Sequence, residues 1–144
     1  MAQETVRWFE WSDDAFRKAR EEDKPVVLDL TASWSHGCRV MDRETYADPE
    51  VVERLNRDYV PIRVDCDRRP DVDDRYNLGG WPTTAFLTPA AELIGGATFL
   101  AGDVLKQLLA QLRGAYAAQR EKIGREIAAR DRKIREALAS TLRG

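Results

Sequence analysis

The sequence has 144 residues, of which 43% are hydrophobic and 33% are charged, and this balance predicts an ordinary soluble domain with a core. It contains no run of 18 apolar residues and its first residues lack a signal core, so we expect no membrane span and a cytoplasmic protein. The two cysteines lie 28 positions apart, which excludes a disulfide framework and favours two free thiols.

The first third of the chain predicts a helix followed by a buried strand. Residues 6–11 are expected to form either an edge strand or an extended lead-in. Ser12 has acidic residues directly after it, which is typical of a helix N-cap, and Asp23-Lys24-Pro25 ends that helix. Residues 25–31 are apolar except for Asp29, and this composition predicts a buried strand.

The middle of the chain predicts further helices and one more strand. Residues 37–43 predict a helix, and Asp48 followed by Pro49 is a typical start for a second one. Residues 59–65 alternate apolar with polar side chains, which indicates a strand, and a short helix is expected over residues 71–77.

The last part of the chain predicts a hairpin and a long helix. Strands over residues 84–88 and 93–100 flank a turn at Pro89, and Asp103 is expected to cap the helix. The whole order is β-α-β-α-β-α-β-β-α. It predicts an α/β fold whose mixed central sheet is flanked by helices.

The charge of the chain separates a C-terminal extension from the rest. The net charge is −2, and residues 119–144 contain eight basic and four acidic residues, so the extension carries +4 and the remainder −6. Because the two signs are interleaved, the pattern favours a solvated helix face over a nucleic-acid-binding surface. We therefore predict a domain over residues 1–118 and a basic amphipathic helical extension over residues 119–144.

The extension also carries a narrow apolar stripe. Its members are spaced by 4, 7 and 4 positions and are Ile123, Ile127, Ile134 and Leu138. A helix from Asp103 to Ser140 would be about 57 Å long, which exceeds a domain of this size. Either it projects after about Arg120, where the stripe would pair with a second chain in a homodimer, or it turns back near Gly124.

The segment between the buried strand and the next helix reads Asp29-Leu30-Thr31-Ala32-Ser33-Trp34-Ser35-His36-Gly37-Cys38. It resembles the active-site loop of the thioredoxin superfamily, which reads Trp-Cys-x-x-Cys. Ser35 stands in the place of that family's attacking cysteine, and Cys38 matches the resolving cysteine. The resemblance also implies that Asp29 is the buried acid beneath the loop, which exchanges a proton with the resolving thiol.

A second loop, Trp81-Pro82-Thr83, resembles the family's cis-proline loop, which lies against the active site and presents backbone to the substrate. The resemblance covers roughly residues 6–120. It is carried by Trp8-Phe9-Glu10-Trp11, Arg20-Glu21-Glu22-Asp23-Lys24-Pro25, Arg69-Pro70-Asp71-Val72-Asp73, Gly79-Gly80-Trp81-Pro82 and Phe86-Leu87-Thr88-Pro89. Together these segments resemble the DUF255 thioredoxin-like domain, a family that includes spermatogenesis-associated protein 20 and bacterial YyaL-type proteins.

This resemblance implies a thioredoxin-like fold, no cofactor, and a protein or peptide thiol or disulfide as substrate. The chain departs from the family at one place. Members usually carry Cys-His-Trp-Cys-His where this chain has Ser35-His36-Gly37-Cys38-Arg39. A dithiol oxidoreductase needs two sulfurs, because attack and resolution are separate thiolate steps.

The serine therefore leaves three functional hypotheses open. In the first, the protein belongs to the thiol–disulfide oxidoreductase class and is a weak monothiol through Cys38, or inactive. We expect a mostly buried, slow thiol there rather than a thiolate stabilised by the helix N-terminus. In the second, it is a redox-inactive module that binds peptide on the Trp34/Pro82 face. In the third, it is an interaction protein that dimerises through the tail helix.

Further residues complete the candidate site. The candidate substrate-binding residues are Trp34, His36, Gly37, Trp81, Pro82 and Thr83. His36 is either a proton donor beside Cys38 or an exposed loop residue. Cys66 follows the central strand and is either a second thiol that pairs with Cys38 or a small buried residue. One histidine and two cysteines at this spacing predict no metal site.

Overall fold

The structure is a computed structural model that describes residues 3–143. The chain divides into two compact units, residues 1–110 and residues 111–144. In chain order the elements are α1 (Asp13–Glu22), β1 (Val26–Thr31), α2 (His36–Arg43), α3 (Pro49–Asp58), β2 (Val60–Asp65), α4 (Pro70–Tyr76), β3 (Thr83–Leu87), β4 (Leu93–Ala97) and α5 (Gly102–Arg143).

The four strands form one mixed sheet in the order β2-β1-β3-β4. β1 is parallel to β2 and antiparallel to β3, and β3 is antiparallel to β4. This arrangement confirms the predicted α/β fold class. It also places Asp29 at the centre of the sheet, opposite Arg63 on one neighbouring strand and Thr84 on the other.

The alternation of side chains along β1 separates its two faces. Val26, Leu28 and Leu30 are fully buried against α1 and α4 in one hydrophobic cluster. Burying an aliphatic side chain of this size contributes about 1.5–3 kcal/mol. Asp29 lies between them in sequence and therefore faces the opposite side of the sheet. There it bonds Arg63, which also bonds Asp42 of α2.

The helix caps predicted at Ser12 and Asp48 are confirmed. Ser12 precedes α1 and its Oγ accepts a hydrogen bond from the Ala15 N–H at 3.2 Å. Asp48 precedes α3, and its Oδ1 accepts from the N–H groups of Glu50 at 2.9 Å and Val51 at 3.4 Å. Such caps satisfy backbone donors that have no partner within the first turn of a helix.

Residues 6–11 are an extended lead-in rather than a strand. Phe9 alone forms a parallel bridge, with Ile62 of β2. Its N–H donates to the Pro61 carbonyl at 2.8 Å, and the Arg63 N–H donates to the Phe9 carbonyl at 3.0 Å. The pairing stops there because α1 begins at Asp13, only four residues after Phe9. The segment still covers the outer edge of β2.

The second half of the chain differs from expectation at two element ends. β4 ends at Ala97, because the next two residues bend, so it is shorter than the predicted 93–100. α5 begins at Gly102, so Asp103 lies in its first turn rather than at its cap.

The long helix α5 continues without interruption through Gly114 and Gly124, so the expectation that the chain turns back near Gly124 is wrong. Ile134 and Leu138 are 52% and 58% exposed. The side chains of Ile123 and Ile127, the other two members of the predicted stripe, lie outside the described residues. Among the helices of residues 3–143, none is both long enough and apolar enough to cross a membrane.

Candidate functional site

The loop after β1 ends at Ser35, which caps the first turn of α2. Its Oγ accepts a hydrogen bond from the Cys38 N–H at 3.3 Å and lies 3.3 Å from the Trp81 carbonyl oxygen, to which it donates. The residue is 8% exposed. Serine is among the preferred N-cap residues because its hydroxyl satisfies an unpaired backbone N–H. Ser35 therefore joins the start of α2 to the cis-proline loop.

Cys38 lies in the first turn of α2 and is 4% exposed. Its Sγ accepts a hydrogen bond from the Ala32 N–H at 3.4 Å. Both cysteines of the chain are free. The structure thus places a buried sulfur, reached through very little exposed surface, at the position of the resolving cysteine.

The cis-proline loop packs directly against the start of α2. The peptide bond between Trp81 and Pro82 is cis. A Cβ added to Gly37 would lie 3.3 Å from Pro82 Cδ and 3.4 Å from the Trp81 carbonyl oxygen. The absence of a side chain at Gly37 therefore permits this close approach. Ser35, Gly37, Cys38 and Pro82, predicted separately from two distant segments, meet at one place.

The loop before the cis-proline is fixed by polar side chains. Thr83 is fully buried, and its Oγ1 donates to the Gly80 carbonyl at 2.6 Å. Asn77 Oδ1 accepts from the N–H groups of Gly79 at 2.8 Å and Gly80 at 3.0 Å. Gly79 has a φ of 112°, which other residues rarely adopt. Thr83 thus serves the loop's internal structure rather than a solvent-facing binding surface.

Trp34 and Trp81 form an aromatic platform beside this loop. Their ring centroids lie 5.2 Å apart with an interplanar angle of 69°, an edge-to-face contact. Trp34 is 57% exposed and Trp81 is 37% exposed. Trp81 Nε1 donates to Asp73 Oδ1 at 2.9 Å, which fixes the orientation of its indole. His36, at the start of α2, is exposed, as the second of its two interpretations expects.

Asp29 is a buried carboxyl held by one cation. It is 2% exposed, and its Oδ2 accepts from Arg63 Nε at 2.8 Å. Its Oδ1 has no hydrogen-bond partner among the described residues. Burial raises the pKa of Asp29 from its ordinary value of 3.8 to about 6, although the Arg63 charge opposes this change. At neutral pH the carboxyl is therefore mostly ionised but can accept a proton at modest cost.

Arg63 connects this buried acid to the surface. It bonds Asp42 of α2 as well as Asp29, and its guanidinium lies 4.4 Å from the centroid of Trp8 and 5.6 Å from that of Tyr46. Trp8 and Tyr46 contact each other edge to face at 4.9 Å. Sequence reasoning missed Arg63, Asp42 and Tyr46 as neighbours of the site. The signal in the sequence was the alternation of apolar and polar side chains along β2. It identifies Arg63 as a neighbour of Asp29 only once the register between β1 and β2 is known.

Cys66 follows β2 and is a small buried residue, 7% exposed. Its N–H donates to the Thr31 carbonyl at 2.9 Å, and its Sγ donates to Asp67 Oδ1 at 3.8 Å. Burial, with the charges of Asp67, Asp73 and Asp65, raises the pKa of Cys66 to about 11. This thiol is therefore protonated at neutral pH and is a poor nucleophile.

Comparisons with known proteins agree with this geometry. The family model Thioredox_DsbH, described as "Protein of unknown function, DUF255", matches residues 1–138. Human spermatogenesis-associated protein 20 is 37% identical over 112 residues, which is 72% of this chain. The chain belongs to the DUF255 thioredoxin-like family. It spans only 14% of the length of that human relative.

Another relative and two solved structures are also similar to this chain. Thiol:disulfide interchange protein DsbD 1 of Pseudomonas aeruginosa is 37% identical over 84 residues, covering 56% of this chain and 14% of that protein. A structure of a DsbH oxidoreductase has a TM-score of 0.65 at 16% identity, covering 78% of this chain and 85% of that one. A thioredoxin from Thermus thermophilus has a TM-score of 0.66 at 23% identity, covering 75% and 87%. The fold is thus that of thioredoxin-like oxidoreductases.

Proposed function

We propose that this DUF255 domain belongs to the thiol–disulfide oxidoreductase class but acts only as a slow monothiol through Cys38. One observation carries the proposal. The side chain in the place of the attacking cysteine is the Ser35 hydroxyl, which is engaged as the cap of α2 and as a donor to the Trp81 carbonyl. A serine hydroxyl cannot form a disulfide, so the dithiol cycle has no first step at this position.

The chemistry left to the site is one exchange step. The Cys38 thiolate attacks a sulfur of a protein or peptide disulfide, a new S–S bond forms, and the other half of the substrate leaves as a thiolate that takes up a proton. The resemblance to thioredoxins implies Asp29 as the base that removes the Cys38 proton, and a buried carboxyl whose Oδ1 has no partner in the described part of the chain supports that role. Without a cysteine at position 35, the mixed disulfide has no neighbouring thiol to resolve it.

The burial of Cys38 supports a low rate for this step. At 4% exposure the sulfur is covered by the loop and by the start of α2. The disulfide sulfur of the substrate must come into direct contact with the attacking Cys38 thiolate, so access limits the rate as much as the thiolate fraction does.

A disulfide-reduction assay tests the proposal. The wild-type chain should show little or no turnover, and Ser35→Cys should recover measurable turnover because Cys38, Asp29 and Pro82 are already assembled. The matched control is Ser35→Cys combined with Cys38→Ser, which should lose the recovered activity. Wild-type turnover equal to that of Ser35→Cys would contradict the monothiol account. An inactive but folded Ser35→Cys would show that the remaining site is not intact.

A second proposal concerns residues 119–144. We propose that this part of the helix pairs with a second copy of the chain, and the support is the exposure of Ile134 and Leu138 on one side of the helix. Apolar side chains at this spacing add little to an isolated helix in water unless a partner covers them. Light scattering on the full chain and on a version ending at Gln119 tests it. A full chain that stays monomeric at high concentration excludes the dimer.

A further inference from the structure

The aromatic platform presents exposed apolar surface beside a buried thiol. Trp34 is 57% exposed and Trp81 is 37% exposed. The Trp81 indole is fixed by its bond to Asp73, and the loop behind it is fixed by Asn77. Because this surface is rigid and lies beside the cis-proline loop, a substrate segment that approaches Cys38 will contact it.

The Trp81 side of the platform is acidic. Asp73 Oδ1 lies 2.9 Å from Trp81 Nε1. A side-chain oxygen of Asp65, one of Asp67 and the Cys66 Sγ lie within 4.8 Å of one another, and the Asp73 charge also acts on that thiol. Asp74 follows Asp73 on α4 and is exposed.

Positive charges in the same region only partly balance these acids. Arg69 makes a two-bond contact with Asp71, at 3.0 and 2.9 Å, so that pair is neutral. Arg68 and Arg75 are exposed and add two positive charges, against the four carboxylates of Asp65, Asp67, Asp73 and Asp74. Arg39 lies on the other side of the platform, where its Nη1 donates to the Ser33 carbonyl at 3.0 Å. The surface is therefore negative on the Trp81 side and positive on the Trp34 side.

We propose that the substrate segment of this site is cationic, a polypeptide with lysine or arginine next to its cysteine that lies over Trp81 on the Asp73 side. The proposal rests on the proposed function, since it names the substrate class of the same site. A cation over a tryptophan face is attracted by the ring, and nearby carboxylates add to the attraction. An acidic segment would meet repulsion from the Trp81 side.

Binding of labelled peptides to the full chain tests this without any thiol chemistry. Three peptides share one sequence with serine in place of cysteine, flanked by lysine, alanine or glutamate, and binding is followed by fluorescence anisotropy. We expect the lysine peptide to bind about tenfold more tightly than the glutamate peptide at low ionic strength, with the ratio shrinking at high salt. Trp34→Ala should also weaken the binding of the lysine peptide.

Variants that each remove one negative charge show which carboxylates cause the preference for a cationic peptide. Asp73→Asn retains an oxygen acceptor for Trp81 and removes the charge, so it should reduce the lysine-to-glutamate ratio several-fold. Asp74→Asn is a second variant, whose side chain makes no hydrogen bond or ion pair among the described residues, and it should act in the same direction if Asp73→Asn does not fold. Glu92→Gln removes an exposed charge in the turn between β3 and β4 and is the matched control.

Three outcomes would overturn the proposal. These are equal binding of the lysine and glutamate peptides, no binding of any of the three, and an equal loss of the ratio in Glu92→Gln and Asp73→Asn. Each of these leaves the disulfide-reduction assay of Ser35→Cys unaffected. Conversely, an inactive Ser35→Cys leaves the peptide preference intact. The failure of one proposal is therefore distinguishable from the failure of the other.

Discussion

Replacing Asp29 by asparagine should change the stability of the domain in a pH-dependent way. The carboxyl is buried at the centre of the sheet, and among the described residues only Arg63 forms an ion pair with it. A buried carboxylate is costly when desolvation exceeds the attraction of its partner. Asparagine has nearly the same shape and carries no charge, so the variant removes that cost and preserves the packing.

The size of the effect follows from the pKa of Asp29. A rise from 3.8 to about 6 corresponds to about 3 kcal/mol of folding free energy. Because the pKa of Asp29 is raised in the folded state, the carboxyl is protonated in both the folded and the unfolded state below about pH 3.8. Its ionisation therefore does not lower the free energy of unfolding there. The wild type loses this free energy as the pH rises through about 6.

Urea denaturation of the wild type and of Asp29→Asn across this range is the assay. Near pH 4 the two should have similar free energies of unfolding, and near pH 8 the variant should be more stable by up to about 3 kcal/mol. Glu92→Gln, which removes an exposed carboxylate from the turn between β3 and β4, controls for net charge. A gain that is the same at both pH values, or a variant less stable at pH 8, would refute the reasoning.

Four further variants test local packing and capping. A Cβ on Gly96 would lie 2.3 Å from the Thr84 carbonyl oxygen, so Gly96→Ala should lower the unfolding free energy by about 3 kcal/mol. Gly95→Ala, which meets nothing within 4 Å, should change it by less than about 1 kcal/mol; equal effects would contradict the packing. Ser35→Ala should cost about 1 kcal/mol through the lost α2 cap, and Asp48→Ala a similar amount at α3, both by chemical denaturation. Unchanged stability in either variant would show that the cap contributes nothing.

Local signals predicted much of the fold because they depend on a few neighbouring residues. The caps at Ser12 and Asp48 and the helix after Pro70 follow from short-range chemistry. The short lead-in before α1 was ambiguous, since aromatic residues such as Phe9 suit both a strand and a single bridge. The end of β4 at Ala97 depends on a bend over residues 98–99 that the sequence pattern does not predict.

Long-range contacts of the site could not be read in the same way. The bond between Ser35 and Trp81 joins residues 46 positions apart and depends on how two loops meet. The pair of Asp29 and Arg63 depends on the register of two parallel strands. The resemblance to thioredoxins supplied the residues of the site, but the structure was needed to show that Ser35 caps the helix.

The lifetime of a mixed disulfide at Cys38 tests the central claim most directly. Intact-mass measurement of the wild type after addition of a peptide disulfide, without reductant, follows both the adduct and any internal disulfide. The account predicts a slowly formed adduct that persists on Cys38 and is absent from Cys38→Ser. Rapid loss of the adduct, with release of the second thiol and formation of a bond between Cys38 and Cys66, would contradict it.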